Sequence, residues 1–294
     1  MNLALALTTL GLTASYLLRQ FSGRAPTQIV VAAHLSGLLL AWVGIINLVV
    51  GSAGLAHGLV EFCELAIADP PGAGGFPAVY VMAVVLVILA GRAAGVWWRT
   101  VSILRRTRRR LLRDTTYARD DVNFTALGSV ACTVGLVRPQ IFVDRDMFRR
   151  LTGPQQDAVI AHERVHVRGL HGVIDLVARC LAAGLAPWPG AVIAYREIRS
   201  HLEAMADDRA ATHTTRWTVA TAIVEAAAAP PRSALGAGGW SAWRVERLLD
   251  PAPPHHLMAS AATVLVLLSS VVLVQTIGHV FAGSHFFPVA FPAV

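Results

Sequence analysis

Residues 161–166 of the sequence read Ala-His-Glu-Arg-Val-His. The two histidines, His162 and His166, are four residues apart, so a helix places both imidazoles on one face. Neutral imidazole is a good zinc ligand, and Glu163 beside the pair can reach a water molecule near such an ion. The order His-Glu-x-x-His is typical of zinc peptidases, in which the glutamate is the general base. The stretch therefore predicts a helix that carries two metal ligands, His162 and His166, and a catalytic residue, Glu163.

A catalytic zinc site also needs a third protein ligand and one open coordination position. Residues 203–207 read Glu-Ala-Met-Ala-Asp, and we predict that Glu203 is this third ligand. Asp207 follows one helical turn later, where its carboxylate can accept a hydrogen bond from a ligand imidazole. His171 is the alternative ligand, but it follows His166 by five residues instead of the six that are typical of a third histidine.

The residues around these motifs predict two helices. Thr152 and Gln155 have the spacing of a capping box, which predicts a first helix at about 153–170. The sequence Pro-Trp-Pro-Gly at 187–190 breaks the chain before a second helix at about 191–213. The two predicted helices carry all of the predicted ligands.

One strand is predicted before the first helix. Residues 137–143 read Val-Arg-Pro-Gln-Ile-Phe-Val and are rich in β-branched and aromatic side chains. Because proline cannot donate a ladder hydrogen bond, Pro139 predicts that this strand lies at a sheet edge.

Further from the motif, the chain is strongly apolar. It is 55% hydrophobic and only 15% charged, which exceeds the apolar content of ordinary soluble domains. Four stretches are long enough, or nearly so, to cross a bilayer as helices: residues 3–18, 29–50, 77–98 and 257–279. Arg92, near the end of the third stretch, can extend its side chain to the lipid headgroups. The sequence predicts a multi-pass membrane protein.

The arginines predict the orientation, because positively charged loops stay in the cytoplasm. The net charge is +7 and the sequence contains no lysine. Arg19 and Arg24 follow the first stretch, whereas the loop at 53–76 carries acidic residues and no arginine. Seven arginines lie between residues 99 and 113. We therefore expect residues 99–256 in the cytoplasm, with both termini and the second loop outside.

Two further features have plain interpretations. The arginine run at 105–113 directly follows a span, so we read it as a membrane-surface anchor and expect no direct nucleic-acid binding. The three cysteines, Cys63, Cys132 and Cys180, are far apart and form no Cys-x-x-Cys pair. They argue against a disulfide framework and against a thiolate zinc site.

Together these residues resemble the β-lactam-sensor antirepressor metallopeptidases of the BlaR/MecR type. The likeness covers the four-span layout and about 130 residues of the cytoplasmic region, in five matching pieces: residues 135–143, 151–156, 161–166, 203–207 and 244–249. The resemblance implies a gluzincin fold with His162 and His166 on one helix, Glu203 on the next, and Asp207 behind the ligands. It also implies that the strand at 137–143 pairs with the backbone of the substrate.

The chain departs from that family in two places. Those sensors usually carry an extracellular penicillin-binding domain after the last span, whereas about 15 residues follow His279 here, so we do not expect direct β-lactam sensing. Pro-Trp-Pro-Gly at 187–190 stands where the family often has Trp-x-Asn-Pro.

The resulting expectation is a mainly α membrane protein with four transmembrane helices. A cytoplasmic α+β gluzincin-type metallopeptidase domain is inserted between the third and fourth. The predicted boundaries are 1–104 for three spans, 105–256 for the metallopeptidase domain and 257–294 for the last span and outer tail. The expected cofactor is Zn²⁺, and the expected partners are the lipid bilayer and a protein or peptide substrate, with a cytoplasmic transcriptional repressor as the one that the resemblance suggests.

Other readings stay open. One is a membrane quality-control or prenyl-protein protease of related gluzincin type, and another is a non-catalytic signalling scaffold. Intramembrane proteolysis is disfavoured because Arg164 and Arg168 flank the motif. Tyr195, Arg209 and His213 are alternative donors to the oxyanion of the reaction, and the sequence does not choose among them.

Overall fold

In a computed structural model, the chain is mostly helical with one small sheet. The structure describes residues 26–51, 78–126, 131–228 and 238–251, with isolated residues at 8–11, 13, 18–19 and 264. The helices are α1 (Thr27–Gly51), α2 (Ala78–Arg113), α3 (Arg145–Arg150), α4 (Gly153–Arg168), α5 (His171–Gly184), α6 (Pro189–His213), α7 (Arg216–Ala228) and α8 (Gly238–Leu249). The strands are β1 (Thr115–Arg119), β2 (Val122–Thr125), β3 (Ala131–Val134) and β4 (Gln140–Asp144).

Two of the described helices are long and apolar enough to cross a membrane, judged by length and composition. Their apolar segments are Thr27–Asn47 in α1 and Val84–Arg113 in α2, with mean hydropathies of 2.3 and 1.5. They coincide with the second and third predicted spans, although α2 continues without a break through the arginine run to Arg113. Most of the predicted first span, and all of the predicted fourth except Val264, lie outside the described residues.

The two long helices differ in how much protein covers them. In α1, 61% of the most apolar window is buried, against 6% in α2. The outward side chains of α2 are large and apolar, among them Val87 (70% exposed), Ile88 and Trp98. The surface of α2 is therefore suited to contact with lipid, whereas α1 packs inside the protein, against α5 and α6. Helix α1 belongs to the predicted three-span region, so it packs against helices of the predicted metallopeptidase domain.

The four-stranded sheet has the order β1-β2-β4-β3. Strand β4 pairs in parallel with β2 and antiparallel with β3, so both of its edges are occupied. The expectation that this strand lies at a sheet edge was wrong. Pro139 precedes the strand instead of interrupting it, so its missing N–H costs no ladder bond. The strand that ends the sheet on this side is β3.

Both predicted helices are confirmed, as α4 and α6. The backbone N–H of Thr152 donates to Gln155 Oε1 over 2.9 Å, which completes the predicted capping box of α4. The break at 187–190 also lies where it was predicted, because α6 begins at Pro189. Between α4 and α5, Leu170 has a φ of 49°, an unusual left-handed conformation for leucine, and the chain reverses there.

Gly184, the last residue of α5, lies where α1, α2 and α5 meet. A Cβ atom at this position would come within 2.2 Å of Trp42 Cζ2 and 3.0 Å of the Leu89 carbonyl oxygen. The indole cannot easily retreat, because Trp42 Nε1 donates to the Leu181 carbonyl over 3.0 Å. Glycine is therefore required for this close approach.

We expect Gly184→Ala to lower the free energy of unfolding by about 1–3 kcal/mol, the usual cost of overpacking a core. Thermal unfolding in detergent measures the loss. Gly91→Ala is the matched control, because a Cβ there meets nothing within 4 Å and alanine favours a helix by up to about 1 kcal/mol. Equal unfolding temperatures for Gly184→Ala and the parent protein would contradict this view of the packing.

Candidate metal centre

Helices α4 and α6 pack against each other and bring the three predicted ligands together. His162 Nε2 and His166 Nε2 are 3.1 Å apart. The two oxygens of Glu203 lie 3.5 Å from His162 Nε2 and 3.7 Å from His166 Nε2. These donor atoms all lie within 4.8 Å of one another, so the group has the arrangement needed to hold a metal ion.

The spacing of the donors is compatible with zinc. Nitrogen and oxygen ligands stand about 2.0–2.1 Å from zinc, so two corners of a tetrahedral site are about 3.4 Å apart. The two imidazole nitrogens are 3.1 Å apart, and the nearest oxygens of Glu203, Oε2 and Oε1, lie 3.5 and 3.7 Å from them, on both sides of that value. Two imidazoles and one carboxylate are also the ligand set of several catalytic zinc sites. The residues therefore fit the ion that the sequence predicts.

The outer nitrogens of both imidazoles have partners of their own. Asp207 Oδ1 lies 3.0 Å from His162 Nδ1, as the sequence predicts. His171 Nδ1 lies 2.9 Å from His166 Nδ1, so the alternative third ligand contacts the far edge of that ring and not the donor group. A hydrogen on each ligand Nδ1 leaves the lone pair on Nε2, where a metal would bind. Both contacts thus orient the ligands.

Arg244, on α8, was not singled out from the sequence. Its Nη2 lies 2.6 Å from Asp207 Oδ1, its Nε lies 2.8 Å from Asp207 Oδ2, and its Nη1 lies 3.1 Å from Glu203 Oε2. Asp207 is 1% exposed, so its charge needs a partner inside the protein. The guanidinium supplies that partner and reaches a predicted metal ligand with the same side chain.

The charges of the site favour a cation at its centre. Burial acts to lower the pKa of His162, but its hydrogen bonds to Asp207 and Glu203 outweigh burial and raise that pKa to about 10. Burial and the positive charge of His162 lower the pKa of His166 to about 3. Burial opposes ionisation of Glu203, yet the hydrogen bond to His162 keeps its pKa below the ordinary value. A metal ion on His162 Nε2 would take the place of the proton that faces Glu203, while the Nδ1–H would stay bonded to Asp207.

Glu163 is nearly enclosed, with 6% of its surface exposed. Thr133, on β3, donates its hydroxyl to Glu163 Oε2 over 2.7 Å. Burial raises the pKa of Glu163 above the ordinary carboxyl value, against the opposing effects of His162 and Thr133. A raised pKa suits a group that must accept a proton near neutral pH. Sequence reasoning missed Thr133, because only the folded sheet brings β3 beside α4.

The site opens into a cavity of about 710 Å³. The cavity wall includes Thr133 of β3, Thr100 and Ile103 of α2, and Ile223 of α7. This lining is largely apolar, and the volume lies within the range of about 300–1,000 Å³ that is usual for ligand pockets.

The three alternative oxyanion donors are not gathered at the metal centre. The Tyr195 hydroxyl donates to Asp175 Oδ1 over 3.2 Å. Arg209 and His213 line a separate cavity that also contacts Arg164. Arg244 lines the cavity of the metal centre and is the cation nearest to Glu203 among the described ion pairs.

Removal of the Arg244 guanidinium is expected to weaken metal binding. We expect Arg244→Gln to lower zinc affinity by about 10–100-fold, the usual effect of losing a residue that supports a metal ligand. Competition with a chromophoric chelator measures the affinity.

Arg247→Gln is the matched control for that variant. Arg247 lies on the same helix and makes a similar pair with Asp208, with Nη1 2.9 Å from Oδ1, but it makes no described contact with a ligand. Zinc affinity should be unchanged in this variant. An equal loss in both would show that docking of α8, and not the contacts of Arg244, is what matters.

No protein-family model, curated protein or solved structure matches the chain.

Proposed function

We propose that this chain is an integral membrane zinc-dependent endopeptidase that hydrolyses peptide bonds of a cytoplasmic protein in signalling. The observation that carries the proposal is the convergence of His162, His166 and Glu203, with their donor atoms within 4.8 Å and Glu163 next to His162 in the sequence. The resemblance noted above suggests a transcriptional repressor as the substrate.

Three donors, not four, support a catalytic role over a structural one. A structural zinc site is normally closed by four protein ligands, whereas a catalytic site leaves one position to water or substrate. Within the described residues the donor group consists of His162, His166 and Glu203. The adjoining cavity gives a peptide access to the free position.

The residues of the site divide the chemistry among them. Zinc, when bound, polarises the scissile carbonyl and makes water nucleophilic near neutral pH. Glu163 removes a proton from the attacking water and delivers it to the leaving amine. Asp207 and His171 keep the two imidazoles oriented through their Nδ1 atoms. Thr133 holds the Glu163 carboxylate by one oxygen, which leaves the other for proton transfer.

Strand β3 is the element best suited to bind the substrate backbone. It lies at the end of the sheet, and its residue Thr133 contacts the proposed base. Ala131 and Cys132 line the cavity beside it. An extended peptide can pair with such an edge strand through main-chain hydrogen bonds. This role was expected of residues 137–143, but β4 is already paired on both sides.

The proposal includes a membrane arrangement. We place four spans in the bilayer, with the metal centre on the cytoplasmic side and both termini outside. The arginines in the last turns of α2 support this orientation, because cationic side chains collect at the cytoplasmic end of a span.

Zinc analysis and a peptidase assay on the purified full-length protein test the function. We expect about one zinc per chain and hydrolysis of casein-like peptides that a chelator abolishes and added zinc restores. Bound zinc without hydrolysis of any substrate would favour the scaffold instead. Comparison of new protein N-termini between cells with parent protein and cells with Glu163→Gln would identify the substrate.

A further inference from the structure

The turn between α5 and α6 lies beside the middle of both long apolar helices. Trp42 of α1 donates its indole N–H to the Leu181 carbonyl over 3.0 Å. Arg92 of α2 donates its Nε–H to the Ala183 carbonyl over 3.2 Å and remains exposed, so this contact still leaves its side chain able to reach the lipid headgroups. These contacts fix the end of α5 against two helices that are apolar enough to span a bilayer.

The N-terminal end of α5 lies near residue 100 of α2, where the apolar part of α2 ends and its arginine-rich part begins. His171 lines the metal cavity together with Thr100 and Ile103 of α2. Trp98 and Arg99 just before them have the composition of a membrane boundary, where aromatic and positive residues collect. Arg92 is eight residues before Thr100, which is about 12 Å along a helix axis. Helix α5 therefore runs about 12 Å back from the boundary, alongside α2.

The end of α5, the turn and the start of α6 have an uncharged sequence, which suits the depth in a bilayer that these contacts indicate. Residues 180–195 read Cys-Leu-Ala-Ala-Gly-Leu-Ala-Pro-Trp-Pro-Gly-Ala-Val-Ile-Ala-Tyr, without a charge. Val177 and Pro187 are exposed on the outer surface of this segment. The charges nearest to this segment on α5, Asp175 and Arg179, line the metal cavity. Ionisable groups within a membrane normally face such a cavity. Arg92 of α2 is exposed instead and donates to the Ala183 carbonyl.

Several backbone groups of the turn are bonded to protein, which favours burial in lipid. Unpaired peptide groups are too costly in hydrocarbon, so non-helical backbone is tolerated there only when protein satisfies it. Trp188 N–H donates to the Leu185 carbonyl over 2.9 Å, and Ala191 N–H donates to the Trp188 carbonyl over 3.1 Å. Side chains from α1 and α2 satisfy the carbonyls of Leu181 and Ala183.

Apolar packing holds the start of α6 against α1. Ala41 and Ile45 of α1 share one buried cluster with Ala194 and Ile198 of α6. Separating them would expose this apolar surface to water at about 25 cal/mol per Å². The shared cluster therefore holds the first part of α6 beside α1.

We propose that α5 and the first part of α6 form a re-entrant hairpin that enters the cytoplasmic leaflet beside α1 and α2, with residues 185–188 at its tip. The uncharged stretch is shorter than the about 20 residues that a spanning helix needs, so the hairpin turns back within the bilayer. Its partner is the acyl region of the lipid, and the metal centre consequently lies at the membrane face. The proposal rests on the membrane placement of α1 and α2 and not on peptidase activity.

Depth-dependent fluorescence quenching on the full-length protein tests the hairpin. Cys63, Cys132 and Cys180 are replaced by serine, and single cysteines are introduced by Pro187→Cys at the tip, Val87→Cys on α2 and Asp146→Cys on α3. Each carries an environment-sensitive fluorophore in vesicles that contain acyl-brominated lipid. We expect the probe at 187 to lose as much emission as the probe at 87, while the probe at 146 responds only to aqueous iodide.

Each contrary outcome overturns the proposal. A probe at 187 that iodide quenches would place the tip in water, and one shielded from both quenchers would mean that protein covers it. A probe at 87 that lipid does not quench would remove the membrane reference itself. If Pro187→Cys unfolds, Val177→Cys on the outer face of α5 gives the same comparison. Because the readout needs no substrate, a failed peptidase assay leaves this test intact.

Discussion

Glu163→Gln is expected to abolish peptide hydrolysis while leaving the metal bound. The amide keeps the size of the side chain and its bond with Thr133 but cannot accept the proton of the attacking water. Loss of a general base typically costs about 10²–10⁴-fold in kcat. Because Glu163 contributes no atom to the donor group, zinc content should stay near that of the parent protein. Single-turnover hydrolysis and zinc analysis of the same sample measure both quantities.

Glu225→Gln is the control for the loss of one carboxylate, since Glu225 is exposed on α7 and should not affect turnover. If Glu163→Gln cleaves as fast as the parent protein, Glu163 is not the base. If the variant instead loses its zinc, its effect on turnover carries no information about proton transfer. Thr133→Ala then remains as the milder probe, because it releases the carboxylate without removing it.

Glu203→Ala is expected to remove the metal and hydrolysis together. The change deletes one of the three donors and leaves Arg244 without one of its two acidic partners. Both effects disfavour a cation, because two imidazoles bind it weakly and the guanidinium repels it. We expect zinc in the purified variant to fall from about one per chain to a small fraction of that value. Metal analysis after dialysis against a weak chelator measures the loss.

His171→Ala distinguishes between the two residues that the sequence offered as third ligand. His171 contacts His166 Nδ1 and not the donor group, so its loss should reduce zinc affinity by only about 10–100-fold. Zinc that persists in Glu203→Ala but disappears from His171→Ala would reverse the assignment. Equal and complete loss in both variants would mean that the orientation of His166 matters as much as the third ligand.

The sequence predicted which side chains lie together wherever the periodicity of a single helix decides their position. His162 and His166 share a face because a turn contains 3.6 residues, and Glu203 and Asp207 share a face for the same reason. The capping box at Thr152 and the break before Pro189 likewise depend on neighbouring residues. The helices at 153–168 and 189–213 therefore agree with expectation within a few residues.

Contacts between distant elements were not readable in this way. The pairing of β4 on both edges depends on β2 and β3, so Pro139 predicted an edge that the fold does not have. Thr133 meets Glu163 across 30 residues of sequence, and Arg244 meets Asp207 across 37. The sequence pointed to Arg244 only as part of the matching piece at 244–249, which assigned it no role.

The sequence by itself thus predicted which side chains could hold a cation and located the two described helices that are apolar enough to cross a bilayer, since spacing and hydropathy are properties of short segments. Only the tertiary structure decided that α4 and α6 meet with their polar faces together, that α8 supplies Arg244, and that an apolar turn lies beside α1 and α2. The physical reason is that burial and charge pairing depend on distances between segments, which the chain acquires when it packs.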